Sequence, residues 1–126
     1  MLESYALSFG QIIKLQDNLV EVIVDENVEF NMTMIHEYHS WLLANLKAPF
    51  AMLINKIHPY TYTFDAQISI GNLPEIKAMA VLSYSKITEE STNVLISMPR
   101  SNKWNIQVFQ TRDEALDWLK DELDKN

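Results

Sequence analysis

Two apolar runs constrain the fold of this chain more than any other feature of its sequence. They are Phe50–Ile57 (FAMLINKI) and Ile76–Tyr84 (IKAMAVLSY), and neither alternates as a strand with one face in water would. Nearly continuous apolar runs of this length are typical of strands that are covered on both faces, as parallel strands are. A loop and a short helical pattern at Phe64–Ile70, ending near Gly71, separate the two runs. We therefore expect the runs to lie side by side and to point the same way, with helices covering the sheet.

A longer helical pattern precedes the first of these runs. Apolar residues return to one helical face between Asn31 and Leu46, and Pro49 prevents the helix from continuing. Asn31 or Thr33 is the expected N-terminal cap. The residues of the apolar face are Ile35, Tyr38, Leu42 and Leu46.

Two more helices are predicted after the second run. The first, Thr88–Met98, begins with a threonine cap and is closed by Pro99. The second follows Thr111–Glu114 (TRDE), which is a capping box. We expect this last helix to seal one face of the sheet and to leave its acidic residues in solvent. Its packing stripe comprises Ala115, Leu116, Trp118, Leu119 and Leu123.

Strands of an alternating kind lie near the two ends of the chain. The run Tyr5–Leu15 alternates, Gln16–Asn18 supply turn residues, and Leu19–Val24 resumes the alternation, so the two runs are predicted to form a hairpin. Trp104–Phe109 alternates as an edge strand does.

The resulting order of elements is β-β-α-β-α-β-α-β-α. Strands that alternate with helices predict an α/β fold with a mainly parallel sheet, here of four or five strands, and with right-handed crossovers. The N-terminal hairpin is the expected antiparallel edge. The sequence has no linker, repeat or low-complexity tract, so residues 1–126 are predicted to form a single domain.

Charge and composition argue against several classes of protein. The formal net charge is −7 and the 10 basic residues are scattered, so nucleic-acid binding is not expected. The chain has no cysteine, which excludes disulfides and thiolate chemistry. No apolar run is long enough to cross a bilayer, and the first residues carry an acid where a signal peptide carries basic residues. We therefore expect a cytoplasmic protein without a membrane span.

The stretch His36–His39 (HEYH) is one residue shorter than the zinc-binding pattern H-E-x-x-H. On a helix, His36 and His39 would lie close enough to touch one ion, whereas Glu37 points to another face. A stable site needs three or four ligands, and the remaining histidine, His58, lies in another part of the chain. We predict that His39 packs its ring at the rim of the apolar face, and that the chain holds no metal ion and no cofactor.

Polar residues follow the predicted parallel strands at their carboxyl ends, where ligands of open parallel sheets gather. We predict a ligand- or partner-binding surface there, comprising His58, Tyr60, Thr61, Tyr62, Thr63, Ser85 and Lys86. The neighbouring strand ends add Asp25, Glu26, Lys56, Tyr84, Thr111 and Arg112. The alternative is turn chemistry alone, in which Pro59 fixes the exit of the strand and Thr63 caps the short helix.

Three aromatic residues, Tyr60, Tyr62 and Phe64, occupy alternate positions in the same loop. They could form an exposed contact patch, because aromatic side chains are enriched at binding hot spots. They could equally form a plug between helix and sheet.

Signals for catalysis are weak. A nucleophile and base could be drawn from Ser85 and His58, but no nucleophile elbow is present. The two glycines, Gly10 and Gly71, do not form a phosphate-binding loop. We expect a protein that is not an enzyme.

The order of elements and three segments resemble the STAS/SpoIIAA-like family. The segments are the hairpin Leu7–Val24, the buried strand Phe50–Ile57 and the strand-then-helix ending Val108–Leu119 (VFQTRDEALDWL). The resemblance implies a SpoIIAA-like fold and a non-enzymatic regulatory function through protein contacts, as in anti-sigma-factor antagonists. It implies an unknown protein partner, and it leaves a homodimer open.

In anti-sigma-factor antagonists of this family, a phosphorylatable serine lies where the strand after the first helix enters the next helix. The matching segment, His58–Asp65, offers Thr61 and Thr63 as phosphosites but lacks the family's Asp-Ser-Gly setting. Small stand-alone Sec14-like members imply a different function, that of a carrier for a small apolar or lipid ligand.

Overall fold

The structure is a computed structural model and describes residues 2–98 and 104–125. In chain order its elements are β1 (Glu3–Leu7), β2 (Gly10–Gln16), β3 (Leu19–Val24), β4 (Glu29–Phe30), α1 (Met32–Asn45), β5 (Phe50–Asn55), β6 (Thr61–Tyr62), α2 (Phe64–Ser69), β7 (Ile76–Leu82), α3 (Lys86–Ile96), β8 (Ile106–Phe109) and α4 (Arg112–Asp124).

The main sheet confirms the predicted fold class. Within the described residues it has six strands in the order β1-β2-β3-β5-β7-β8. The pairs β1–β2 and β2–β3 are antiparallel, and the pairs β3–β5, β5–β7 and β7–β8 are parallel. The two apolar runs therefore lie side by side and point the same way, with Leu53 opposite Ala80.

The strand count exceeds the prediction because the run Tyr5–Leu15 is not one strand. The chain turns at Ser8 and Phe9, so that Leu7 pairs with Gly10 and the two halves of the run lie antiparallel. Phe9 is fully buried although it occupies the turn. The hydrophobic alternation therefore continues through the turn and does not indicate that the strand ends there. A two-stranded parallel sheet of β4 and β6 was also not predicted.

The helices begin where side chains accept backbone N–H groups. The predicted caps Asn31, Thr63 and Thr111 are confirmed, since each accepts the N–H group of the residue three positions later. The expectation that Thr88 caps the third helix was wrong. Ser85 caps it and accepts the Thr88 N–H group at 3.1 Å, because the helix begins directly after the loop that ends β7.

Two further predictions concern helix ends, namely the capping box of α4 and the stop at Pro99. In the capping box, the Glu114 carboxylate accepts a hydrogen bond from the Thr111 hydroxyl at 2.8 Å, and no reciprocal bond from the Thr111 N–H group is observed. The expected stop at Pro99 lies outside the described residues.

The sheet divides the core into two layers. On one face, the apolar side chains of α1, α2 and α3 pack on alternate residues of β5, such as Phe50 and Met52. On the other face, Ala115 and Leu119 of α4 pack on Leu53 and on β7. Covering on both faces explains why β5 and β7 are almost continuously apolar. Of the helices in the described ranges, none is both long enough and apolar enough to cross a membrane.

Candidate functional site

The predicted site residues do not form one continuous site. Tyr60, Thr61 and Tyr62 line a groove with residues of α2 and α3. His58 lies beside Ile87 at the start of α3, in a smaller depression. Thr63 is half-buried, and its hydroxyl is engaged as the cap of α2. Ser85 and Lys86 are exposed and line a separate depression with Tyr84 and Gln110, so they are not part of the groove.

The small sheet of β4 and β6 holds the loop after β5 in place. The Thr61 N–H group donates to the Val28 carbonyl at 2.9 Å, and the Thr63 N–H group donates to the Phe30 carbonyl at 2.8 Å. These bonds bring Tyr60 and Tyr62 against Phe30, with ring centroids 6.1 Å and 5.8 Å apart respectively. Backbone pairing therefore fixes the aromatic part of the loop.

The three aromatic residues of this loop divide between the two predicted alternatives, a plug and an exposed patch. Tyr60 and Tyr62 form a plug, since both line an internal cavity and pack on Phe30. Phe64 leaves 74% of its surface in solvent. The three rings therefore do not form one exposed patch.

Lys56 has the most unusual environment of the residues at the strand ends. The backbone N–H group of Lys56 donates to the Leu82 carbonyl at 3.1 Å, and this bond continues the hydrogen-bond ladder between β5 and β7. The alternation of β5 places its side chain on the face of Phe50, Met52 and Ile54, under the helices. The ammonium group donates to Thr92 Oγ1 at 3.1 Å.

The surroundings of the Lys56 ammonium group are aromatic and hydroxylic. Nζ lies 5.2 Å from the ring centroid of Tyr60 and 5.8 Å from that of Tyr62, which are cation–π distances. The hydroxyls of these two tyrosines lie 3.3 Å apart. Among the described residues, no carboxylate lies within 4.0 Å of Nζ. Burial lowers the Lys56 pKa from 10.5 to about 8, because the charged form loses water.

Lys56 lies where a partly enclosed cavity meets a more open groove. The cavity has a volume of about 40 Å³, enough for a few water molecules, and its lining is almost entirely apolar. The groove has a volume of about 450 Å³, within the range of small-molecule sites. Lys56, Tyr60, Tyr62 and Leu95 line both spaces.

Among the described residues, no third ligand lies near the histidine pair of α1. His39 Nε2 accepts the Gly71 N–H group at 3.2 Å, as predicted for a rim histidine. Burial, with a smaller contribution from His36, lowers the His39 pKa from 6.5 to about 4, so the ring is neutral at pH 7. Throughout residues 2–98 and 104–125, no group of three or more His, Asp or Glu side chains could hold a metal ion.

The opposite face of the sheet carries a polar network. Glu21 is buried, and its carboxylate accepts hydrogen bonds from Arg112 Nη2 at 2.7 Å and from Asn55 Nδ2 at 2.8 Å. Asn55 Oδ1 accepts a third bond, from the Tyr84 hydroxyl, at 2.8 Å. The hydrogen bond to Glu21 raises the Arg112 pKa. The network joins the middle of β3, the end of β5 and the loop after β7 to the start of α4.

We expect Lys56→Met to raise the free energy of unfolding at pH 7 by about 1–2 kcal/mol, because methionine removes a buried charge and keeps the apolar stem. The native pKa of about 8 lies below the unfolded value of 10.5, so between these values the unfolded chain binds more protons. Wild-type stability should therefore rise from pH 8 to about pH 10, and the variant should lack this rise.

The measurement is urea unfolding of both proteins at several pH values. Above about pH 10 the raised pKa values of the buried tyrosines Tyr38 and Tyr60 act in the opposite direction, because the unfolded chain then loses protons first. Both proteins contain these tyrosines, so the difference between their free energies of unfolding does not include the contribution of the tyrosines. An identical pH dependence in the two proteins would contradict the assigned environment of Lys56.

Comparison with known proteins identifies the fold. No protein-family model matches the sequence, and a search of curated proteins found no similar sequence. The structure is similar to that of an uncharacterised protein of the DUF3478 family from Shewanella loihica PV-4, which is described as having a SpoIIAA-like fold. The TM-score is 0.53 and the identity is 16%, over 94% of this chain and 92% of the other. The chain therefore has the STAS/SpoIIAA-like fold that its sequence resemblance predicts.

Proposed function

We propose that the protein is a non-enzymatic regulatory module that binds a partner protein through the carboxyl-end surface. This surface comprises the loops after β5 and β7 and the first residues of α2 and α3. The observation that carries the proposal is the exposure of large apolar side chains there. These exposed residues are Ile57, Phe64, Tyr84 and Ile87, and each leaves at least half of its surface in solvent.

Exposure of this kind is costly for an isolated domain. Phe64 and Ile87 are 74% and 78% exposed, and each begins a helix without packing on the core. Clusters of exposed apolar residues rimmed by polar groups mark protein contacts. Polar groups for such a rim are present in His58, Thr61 and Lys86, all of which are exposed.

A phosphoswitch would act on the same surface. Thr61 is exposed, whereas the Thr63 hydroxyl accepts the Ala66 N–H group at 3.3 Å as a helix cap. Thr61 is therefore the better phosphate acceptor of the two. A phosphate there would add negative charge three residues before Phe64, within the same loop, and weaken apolar docking.

The proposal predicts that Phe64→Asp and Ile87→Asp together abolish partner binding, since each places a charge where an apolar contact forms. The measurement is cross-linking and affinity capture from extract of the source organism, with the identified partner then titrated against purified protein. The matched control is Leu43→Asp, on α1, where the wild-type residue is 47% exposed outside this surface. Equal affinity of the partner for the double variant and the control would refute the surface.

The groove supports a second candidate function, that of a carrier for a small apolar ligand. Its volume suits a small molecule, whereas the inner cavity of about 40 Å³ is too small for a lipid chain unless side chains move. Native mass spectrometry of the purified protein tests this candidate. A bound mass that disappears on denaturation would support it.

A further inference from the structure

We infer that Lys56 is the anion-binding end of a site for a small carboxylic acid with an apolar body. The carboxylate would lie against Nζ, and the apolar body would lie in the groove and reach the inner cavity. The inference rests on the carrier function proposed above, and the groove shares Thr61 with the polar rim of the carboxyl-end surface.

The first step is that a lysine at this position lacks a structural reason. Strand β5 directs Phe50, Met52 and Ile54 into the apolar layer, and Lys56 takes the next position on that face. A methionine or leucine would fill the same space without the loss of hydration that a charge suffers. Lys56 is half-buried, and a charge that loses much of its water is ordinarily paired with an opposite one, yet no carboxylate lies within 4.0 Å of its ammonium group among the described residues.

The second step concerns the donors of the ammonium group. One N–H group is directed to Thr92 Oγ1 at 3.1 Å. The Thr92 hydroxyl is itself directed to the Thr88 carbonyl at 2.9 Å, so it offers Lys56 an acceptor without negative charge. Ring faces of Tyr60 and Tyr62 attract the cation but supply no lone pairs. A carboxylate would accept the remaining N–H groups and neutralise the charge.

The third step is that the charge of the ligand is set by the site. Lys56 is the one cationic side chain that lines the cavity or the groove within the described residues, and no acidic side chain lines either space. His39 also lines the cavity, but it is neutral at pH 7 because its pKa is about 4. One buried cation suits a single negative charge, whereas a phosphate dianion would bring an uncompensated charge into an apolar site.

The fourth step concerns the body of the ligand. The cavity walls are mostly apolar and include Ile70, Met79 and Leu95, whereas the groove has apolar residues, Val94 and Met98, beside polar ones, Thr61, Gln67 and Ser91. Such walls favour a hydrocarbon chain or ring over a sugar or nucleotide. The combination points to acids such as medium-chain fatty acids.

The experiment is a calorimetric titration at pH 7 of purified protein with hexanoate, octanoate and decanoate, and with 1-octanol as the neutral match of octanoate. We expect the protein to bind octanoate about tenfold or more tighter than octanol, as one charge-assisted contact in an apolar site implies. Lys56→Met should lose that preference and retain the affinity for octanol. Lys120→Met, a change at an exposed lysine of α4 that lines neither the cavity nor the groove, should behave as wild type.

A second readout separates ligand contact from a merely structural lysine. Bound octanoate should raise the Lys56 pKa, followed by NMR of the lysine side chain, whereas octanol should not. Equal affinity for octanol and octanoate would overturn the anion site and leave the carrier function standing. Failure of folded wild type to bind any of the acids or the alcohol would overturn both. Octanoate affinity that is unchanged in Lys56→Met would assign the anion to another residue and overturn the inference.

Discussion

Replacing Gly10 by alanine is expected to remove at least about 4 kcal/mol from the free energy of unfolding, enough to unfold much of a domain of ordinary stability. Gly10 begins β2 with φ at 157° and pairs with Leu7 on one side and Val24 on the other. A Cβ atom there would lie far inside contact distance of the Ile23 carbonyl oxygen and 2.9 Å from Val24 Cα. Both obstacles are backbone of the neighbouring strand, so relief requires β3 to move away.

Gly71 provides the matched control, because it too has a positive φ, of 69°. A Cβ atom at Gly71 would meet the Trp104 ring at 3.0 Å and the Met79 methyl group at 3.1 Å, and these are side chains that can shift. We expect Gly71→Ala to cost about 1–3 kcal/mol, mostly from the strained backbone. Urea unfolding followed by circular dichroism compares the two variants. If Gly10→Ala were no less stable than Gly71→Ala, the close approach of β2 to β3 would be wrong.

The same glycine shows why the sequence predicts the sheet but miscounts its strands. In the run Tyr5–Leu15 all odd positions but one are apolar, but the two-residue turn moves the inward face of β2 to the even positions, so that Ile12 and not Ile13 is fully buried. The turn at Ser8 and Phe9 lacks the Asn-Gly or Asp-Gly pair that marks most tight hairpins. Gly10 was the available signal, because a lone glycine within a strand pattern suggests an irregularity.

The parallel part of the sheet could be predicted because strands that are buried on both faces consist almost entirely of apolar residues. β5 and β7 lie between two layers of helices, so almost every residue is apolar and the pattern has no second interpretation at that length. The caps Asn31, Thr63 and Thr111 were found for a similar reason, since one side chain and one N–H group three positions later suffice. A helix cap depends only on residues that are close in sequence, so it can be predicted from the sequence.

The candidate site was predicted less well because it depends on contacts between distant segments. The position of Lys56 at a strand end is visible in the sequence, but its burial depends on Tyr60 and Tyr62, which the pairing of β6 with β4 brings over it. Two-residue strands such as these carry no periodicity. The Glu21 network joins residues 34 and 91 positions apart, and no sequence spacing announces it.

That network gives the second large expected effect. Replacing Arg112 by methionine should lower the free energy of unfolding by about 3 kcal/mol, because it leaves a buried carboxylate with one amide donor. The Glu21 side chain is 6% exposed and that of Arg112 is 45% exposed, so the glutamate cannot recover water whereas the arginine can. The expected loss is therefore at the lower end for a broken buried ion pair. Arg112 also lies at the first position of α4, where the helix dipole disfavours a cation and Glu21 offsets it.

A double-mutant cycle by urea unfolding isolates this ion pair. Glu21→Met combined with Arg112→Met should cost less than the sum of the single changes, with a coupling of about 1–3 kcal/mol, since the buried charge disappears together with its partner. The comparison pair is Glu122–Lys125 at the C-terminal end of α4, where the glutamate side chain is 11% exposed and that of the lysine is 66% exposed. The Glu122 carboxylate also accepts a hydrogen bond from Asn105 Nδ2, and solvent screens the lysine, so Lys125→Met should cost less than Arg112→Met. Equal losses from Arg112→Met and Lys125→Met would mean that the Glu21–Arg112 pair is no stronger than an ion pair whose cation is mostly in solvent, and that α4 is held on the sheet by its apolar side chains, such as Ala115 and Leu119.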